Sequence, residues 1–328
     1  VSAPLLEVRE LRTLFESRGF LRRARAHDAI AAVDGVSFDL HEGQTLGVVG
    51  ESGCGKTTLG RTLLRLVPAT SGSVRYRGED LLALRGTALR ARRRELQMIF
   101  QDLDAALNPR MTVVELLLEA VQLQRRRPRS EALRACEALL GRVKLQSAKL
   151  SELPTDLSGG EKRRVSIARV LALEPRLVVA DEPLSALDVS IAAQVANLMR
   201  DLQDELGLSF LFISHDLRMV ELIAQRVLVM YLGKVVESAP AARLAERPAH
   251  PYSRLLWSAL EPSTARDRSE SWEVAEQERP QHGCRFRARC PIYRARGEPE
   301  ICRDAASEPQ LREIAPDHLT ACHFPDAP

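Results

Sequence analysis

The sequence contains no apolar run of the roughly 18 residues that a membrane-spanning helix needs. Its hydrophobic stretches, such as "SFLFIS" and "RVLVMYL", have the length of strands. The opening "VSAPLLEVRELR" lacks the apolar h-region of a secretion signal. These two absences point to a chain working in the cytosol, where structural disulfides are not expected. The chain also lacks a dominant charge: 47 Lys and Arg against 44 Asp and Glu leave a net +3, too little to argue for or against nucleic acid. Its arginine clusters, "LRARRREL" (89–96) and "QRRRPR" (124–129), read as a solvated helix face and a loop. No internal repeat, flavin fingerprint or tight C-x2-C pair is present.

What is present is a chain of 328 residues, 45% hydrophobic and 28% charged, long enough for two domains or for one large core with an extension. Its strongest signal is "TLGVVGESGCGKTTLGRTLLRL" (45–66), an apolar strand, a glycine-rich turn and an amphipathic helix. Gly50, Gly53 and Gly55 let several backbone N–H groups turn toward one anion, and the helix N-terminus adds partial positive charge. Glu51, Ser52 and Cys54 complete the turn, with Cys54 a small filler. Lys56 can reach outer phosphates, Thr57 places a hydroxyl at a Mg²⁺ position, and Thr58 follows it. A second apolar strand in "RLVVADEP" (176–183) ends in two carboxylates. Asp181 suits a Mg²⁺ shell, and Glu182 suits polarisation of an attacking water.

"LSGGEKRRVSIARVL" (157–171) opens a helix on a serine and paired glycines, a second anion-binding N-terminus in a chain whose phosphate loop is already complete. From about residue 5 to 240 the chain resembles the ATP-binding cassette (ABC) family. The resemblance implies that Ser158, Gly159, Gly160 and Glu161 contact ATP held by an opposing subunit, in a dimer that sandwiches two nucleotides. Glu161 stands where many relatives have glutamine. It further implies that Gln101 in "IFQD" senses Mg²⁺ and touches a membrane partner. Asp188 in "SALD" would cross the dimer interface, and His215 in "FISHD" would lie near the γ-phosphate. Phe15 is the first choice and Phe20 the second for the aromatic that stacks on adenine, a basic insert at about 16–31 separating them from "AAVDGVSFDL".

The expected architecture is α/β: a P-loop, RecA-like core with an antiparallel β-subdomain and a helical subdomain at about 101–165. The ABC nucleotide-binding domain would span 1–240, and a small metal-binding extension 241–328. Strands at 5–12, 30–40 and 73–78 are expected to form one mixed sheet with 45–50. Further strands are expected at 177–181, 209–214 and 227–231, with a hairpin in "YLGKVVESAP" closing the core. Cys136 falls on the apolar face of a helix in the helical subdomain.

"RPAHPYSRLLWSALEP" (247–262) and "QDLDAALNPRMTVVE" resemble ATPase subunits of oligopeptide and dipeptide importers, although Leu103 replaces a proline often seen there. A mobile stretch is expected at 262–280. Cys284, Cys290, Cys302 and Cys322 then crowd the tail, spaced C-x5-C, C-x11-C and C-x19-C. All-cysteine ligation suits a [4Fe–4S] cluster or structural zinc, and unligated thiols remain an alternative. The missing C-x2-C pair disfavours an ordinary zinc ribbon, and the resemblance to importers with a cluster-bearing tail favours [4Fe–4S].

The function so implied is ATP hydrolysis by a subunit on the cytoplasmic face of the inner membrane. Its partners would be a second, unlike ATPase, two permease subunits and an extracytoplasmic solute-binding protein, with no nucleic acid. The rival readings are a soluble ABC ATPase of repair, translation or an enzyme complex, and an ATP-gated iron–sulfur regulator.

Overall fold

The computed structural model describes residues 3–16, 29–260, 280 and 282–325. Phe20, most of the basic insert and most of the stretch at 262–280 lie outside them. Along the chain run β1 (Leu6–Glu16), β2 (Ala29–Leu40), β3 (Thr45–Val49), α1 (Lys56–Leu63), β4 (Ser71–Tyr76), β5 (Glu79–Asp80), α2 (Gly86–Glu95) and β6 (Leu96–Ile99). The helical segment follows as α3 (Leu103–Ala106), α4 (Val113–Gln124), α5 (Arg129–Arg142) and α6 (Gly159–Leu171). Alternation returns with β7 (Leu177–Asp181), α7 (Val189–Leu206), β8 (Ser209–Ile213), α8 (Leu217–Ile223), β9 (Arg226–Tyr231) and β10 (Lys234–Pro240). The tail contributes α9 (Ala241–Glu246), α10 (Pro251–Ser258), α11 (Pro291–Ala295), β11 (Arg312–Ala315) and β12 (His318–Thr320).

Two sheets result, ordered β2-β1-β4-β5 and β11-β12-β10-β9-β3-β8-β7-β6. This corrects the single mixed sheet expected from the sequence: β3 belongs to the second sheet, and β1, β2 and β4 to an antiparallel sheet of their own. Burial explains the division. Every residue of β3, β7 and β8 is buried, as parallel strands covered on both faces must be. By contrast β4 keeps a polar, exposed face. In β1 the inward set switches parity from Leu6 and Val8 to Leu11, through a bulge at which Glu10 takes φ 47°.

The arginines of 89–96 lie on α2, which buries none of its residues, as a solvated face should. Cys136 is fully buried in α5, and burial pushes its thiol up to about 11. Residues beyond 240 share the core of those before it. β12 pairs antiparallel with β10, matching Glu237 to Thr320, and Tyr252, Phe286 and Cys290 join the apolar cluster that contains α4, α6 and α7. Among the described residues no helix is long and apolar enough to cross a membrane.

Candidate functional site

The parallel run β6-β7-β8-β3 sets four loops side by side at the carboxyl ends of its strands, where open α/β sheets place their ligand sites. The phosphate loop leaves β3. Gly50, Gly53 and Gly55 take φ 149°, 77° and 108°, so the turn uses backbone conformations that side-chain-bearing residues rarely adopt. A Cβ on Gly55 would also strike the Ala32 carbonyl oxygen of β2. Lys56, Thr57 and Thr58 open α1. The Lys56 ammonium, 6% exposed, donates to the carbonyls of Gly50 at 2.6 Å and Glu51 at 3.0 Å. Ser52 and Gly53 are exposed, whereas Cys54 is buried and its thiol pushed up by that burial.

At the end of β7, Asp181 Oδ1 accepts from the Thr57 hydroxyl at 2.9 Å. Its other oxygen, Oδ2, is buried without a hydrogen-bond partner, and burial raises the carboxyl above its usual range. A buried carboxylate oxygen left open beside a hydroxyl is what a hard cation requires, so these two residues fit Mg²⁺. The next residue, Glu182, takes φ 48°, and its N–H donates to the Ile213 carbonyl of β8 at 2.9 Å. That turn carries its carboxylate to His215, two residues past β8, whose Nδ1 lies 2.8 Å from Glu182 Oε2. Gln101 is exposed two residues past β6, the strand paired with β7.

Phe15 lies on β1 opposite Ile30 and is 45% exposed. It is a strand residue with its ring in solvent, and its partner Ile30 is two positions from Ala32, which abuts the phosphate loop. Ser158 caps α6. Its N–H and hydroxyl donate to Glu161 Oε2 at 2.9 and 2.8 Å, and its hydroxyl accepts the Glu161 N–H at 3.3 Å. Glutamate and glutamine both serve this reciprocal cap, which accounts for Glu161 at that position. Ser158 and Gly159 are exposed, and the helix start packs on the segment holding Asp188, which is exposed at the start of α7.

One residue here was not singled out in the sequence. Arg163 on α6 is 1% exposed and donates to the carbonyls of Phe100 at 2.7 Å and Gln101 at 3.3 Å, tying the cap helix to the glutamine loop. Arginine in a run "EKRR" resembles any surface charge. Only its position on the inner face of α6, between Lys162 and Val165, could have marked it. A groove of about 690 Å³ lies between this loop and the helical segment, lined by Phe100, Leu107, Ala120, Leu123, Arg169 and Val170 among others.

Cys284, Cys290, Cys302 and Cys322 all line one small cavity. Burial pushes the Cys284 and Cys322 thiols up to about 11 and raises those of Cys290 and Cys302, with neighbouring thiols acting in the same direction on Cys284, Cys302 and Cys322. Among the described residues, however, no set of three or more His, Cys, Asp or Glu is arranged to hold a metal ion. The metal-binding extension expected from the sequence is thus not shown, although the four thiols share one cavity.

A family model described as ABC transporter matches residues 33–185, and one described as oligopeptide/dipeptide transporter, C-terminal region, matches residues 236–296. The putative oligopeptide transport ATP-binding protein YkfD of Bacillus subtilis is 46% identical over 328 residues, covering 98% of this chain and 95% of its own. The oligopeptide transport ATP-binding protein AppF of the same organism is 43% identical, covering 98% and 97%. A putative peptide import ATP-binding protein of Brucella ovis is 43% identical, covering 97% of each. Among solved structures, cbiO1 from Clostridium perfringens, part of the ABC transporter complex cbiONQ, shares 25% identity at TM-score 0.64, covering 74% of this chain and 91% of that one. A dimeric post-hydrolysis state of the cassette MJ0796 bound to ADP and Pi gives the same fold at TM-score 0.64 and 24% identity, covering 72% and 98%. Fold, phosphate loop and full-length relatives agree: the chain belongs to the ABC transporter family, among the ATP-hydrolysing subunits that carry the oligopeptide/dipeptide transporter C-terminal region.

Proposed function

We propose that this chain drives the import of di- or oligopeptides, and that the Glu182–His215 pair beside the Thr57–Asp181 pair is its hydrolytic centre. The hydrogen bond between Glu182 and His215 carries the reading: it fixes a carboxylate beside the phosphate loop, where a water attacking a terminal phosphate needs a base. Glu182 orients and deprotonates the water, His215 holds Glu182 and supports the γ-phosphate, and Lys56 turns from the loop carbonyls to the outer phosphates. Gly50 to Gly55 cradle the anion through backbone N–H groups, and Phe15 offers a face to adenine. Thr57, Asp181 and Gln101 would hold Mg²⁺, which supplies charge stabilisation on the phosphates when bound. Ser158, Gly159, Gly160, Glu161 and Asp188 reach the nucleotide of the opposing subunit. ATP closes that dimer, hydrolysis reopens it, and the permeases are biased between outward- and inward-facing states.

The partners so implied are an unlike second ATPase, two permeases and a solute-binding protein, with this subunit on the cytoplasmic face of the membrane. The groove under Phe100 suits the permease contact, because it joins the glutamine loop to the helical segment. The rival soluble ATPase finds no support in the peptide-import names of the relatives.

Replacing Glu182 by Gln tests the centre. MgATP binding should persist and steady-state hydrolysis should fall about 10²- to 10⁴-fold; near-normal turnover would remove Glu182 from the role of base. For the tail we propose a [4Fe–4S] cluster held by Cys284, Cys290, Cys302 and Cys322, supported by four soft donors on one cavity. Iron, acid-labile sulfide and zinc counted on anaerobically purified protein decide it. About four irons and four sulfides per chain are expected; zinc without sulfide, or neither metal, overturns the cluster.

A further inference from the structure

Between its first two cysteines the tail carries arginines at 285, 287 and 289, and two of them reach out to the phosphate loop and its support. Arg289 forms a two-pronged ion pair with Glu51, the residue directly after Gly50: Nη1 to Oε2 at 2.9 Å and Nη2 to Oε1 at 2.8 Å. Both partners are largely withdrawn from water, at 15% and 29% side-chain exposure. The guanidinium also lies 6.0 and 5.9 Å over the rings of Tyr231 and Phe286, which fix its plane. From α10, the buried Tyr252 hydroxyl accepts the Glu51 N–H at 2.8 Å. Arg285 donates to the Leu232 carbonyl and pairs with Asp34, and the adjacent Gly233 N–H donates to the Cys54 carbonyl at 2.9 Å. The loop is thus gripped at the Glu51 side chain and the Glu51 amide from elements that follow β10, and behind Cys54 from the β9–β10 turn that Arg285 holds.

The arrangement answers an electrostatic problem. A carboxylate inside a loop that receives a polyanion repels its ligand, and the repulsion grows as the site loses water. A bidentate guanidinium cancels that charge and also fixes the direction of the peptide that carries it. A loop held in place beforehand loses less freedom when its ligand arrives.

We propose that Arg289 is a positioning residue for nucleotide binding: it neutralises Glu51 and holds the phosphate loop in its anion-accepting form, assisted by Tyr252. The inference rests on the ATP reading of that loop. It places a determinant of nucleotide affinity in the tail, 238 residues from the loop it serves.

The test is MgATP binding by calorimetry to the full-length chain in the Glu182→Gln background, where hydrolysis does not interfere. Arg289→Ala should weaken binding about 5- to 20-fold, and Arg289→Lys, which keeps the charge and loses the fork, by a smaller factor. Adding Glu51→Gln to Arg289→Ala should recover most of the lost affinity, because the charge left uncompensated is then gone. With Glu182 restored, Arg289→Ala should raise KM for ATP several-fold while kcat stays within about twofold. Arg289→Ala binding within twofold of the parent overturns the proposal. So does weakened binding that Glu51→Gln fails to relieve, which would assign Arg289 a role in folding alone. A parent that does not bind MgATP, or that binds equally after Lys56→Ala, overturns the nucleotide reading itself and this inference with it.

Discussion

The guanidinium of Arg163 is 1% exposed, and burial pulls its pKa down to about 10. Holding that charge out of water costs on the order of 3 kcal/mol, a cost offset by the hydrogen bonds to the Phe100 and Gln101 carbonyls. A residue kept at such expense between the cap helix and the glutamine loop is placed to make the two move together. Arg163→Met should change stability by no more than about 1 kcal/mol, since an apolar side chain of similar length removes the desolvation cost along with the bonds. Stimulation of hydrolysis by the proposed permease partners should nevertheless be lost, and ATPase rates with and without them check it. Residues such as Lys56, Thr57, Asp181 and Glu182 were legible in the sequence because their chemistry is written in contiguous motifs. Arg163 and Arg289 were not. Their partners lie 62 or more residues away, and no local pattern distinguishes a buried arginine from a solvated one.

At the scale of elements, α6 begins with a cap that joins Ser158 to Glu161, and Lys149 pairs with the same carboxylate at 3.1 Å. These contacts, the Ser158 N–H and hydroxyl first, hold the Glu161 carboxyl below its usual range. A lowered folded-state pKa means that the stabilisation is present above the ordinary carboxylate value and is lost as pH falls through the lowered one. Glu161→Gln keeps the cap without the titration. The stability difference between wild type and this variant should therefore shrink as pH drops below about 4.5, while Glu161→Ala should cost about 1 kcal/mol at neutral pH. Urea melts of the three proteins across pH measure both. The strands β3, β7, β8 and β9 could be read as apolar runs, and α4 and α5 from their periodicity. The hairpin of β11 and β12 escaped notice, because "REIAPDHLT" has a proline and an aspartate at its turn and too few apolar residues for a strand signal. Its pairing is set by β10, not by its own composition.

For the molecule as a whole, the tail is joined to the cassette through a buried polar knot. Glu237 of β10 is fully buried, accepts the N–H groups of Ala249 and His250 at 2.7 and 2.9 Å, and meets His318 Nε2 of β12 at 2.6 Å. Ending the chain after Glu308 removes the His318 partner of the buried Glu237 carboxylate and strips β10 of its neighbour β12, leaving an open strand edge. The truncated protein should melt more than about 10 °C below the full chain or form aggregates, and calorimetry with light scattering distinguishes the two. Melting unchanged would show that the tail is an appendage after all. The boundary expected near residue 240 follows the composition, which turns there to proline and arginine. The sheet runs across it because hydrogen bonding between strands is indifferent to composition.

The position of β12 in the main sheet also orders events in time. The phosphate loop and its strand are synthesised well before the tail. The sheet that carries them gains its β10–β12 pairing only once residues 318–320 have been made. Until then the nascent chain shows the free edge of β10, the kind of surface that chaperones hold and proteases test. A product cut short by a premature stop before β12 would keep that edge, and with it the tendency to pair with other chains.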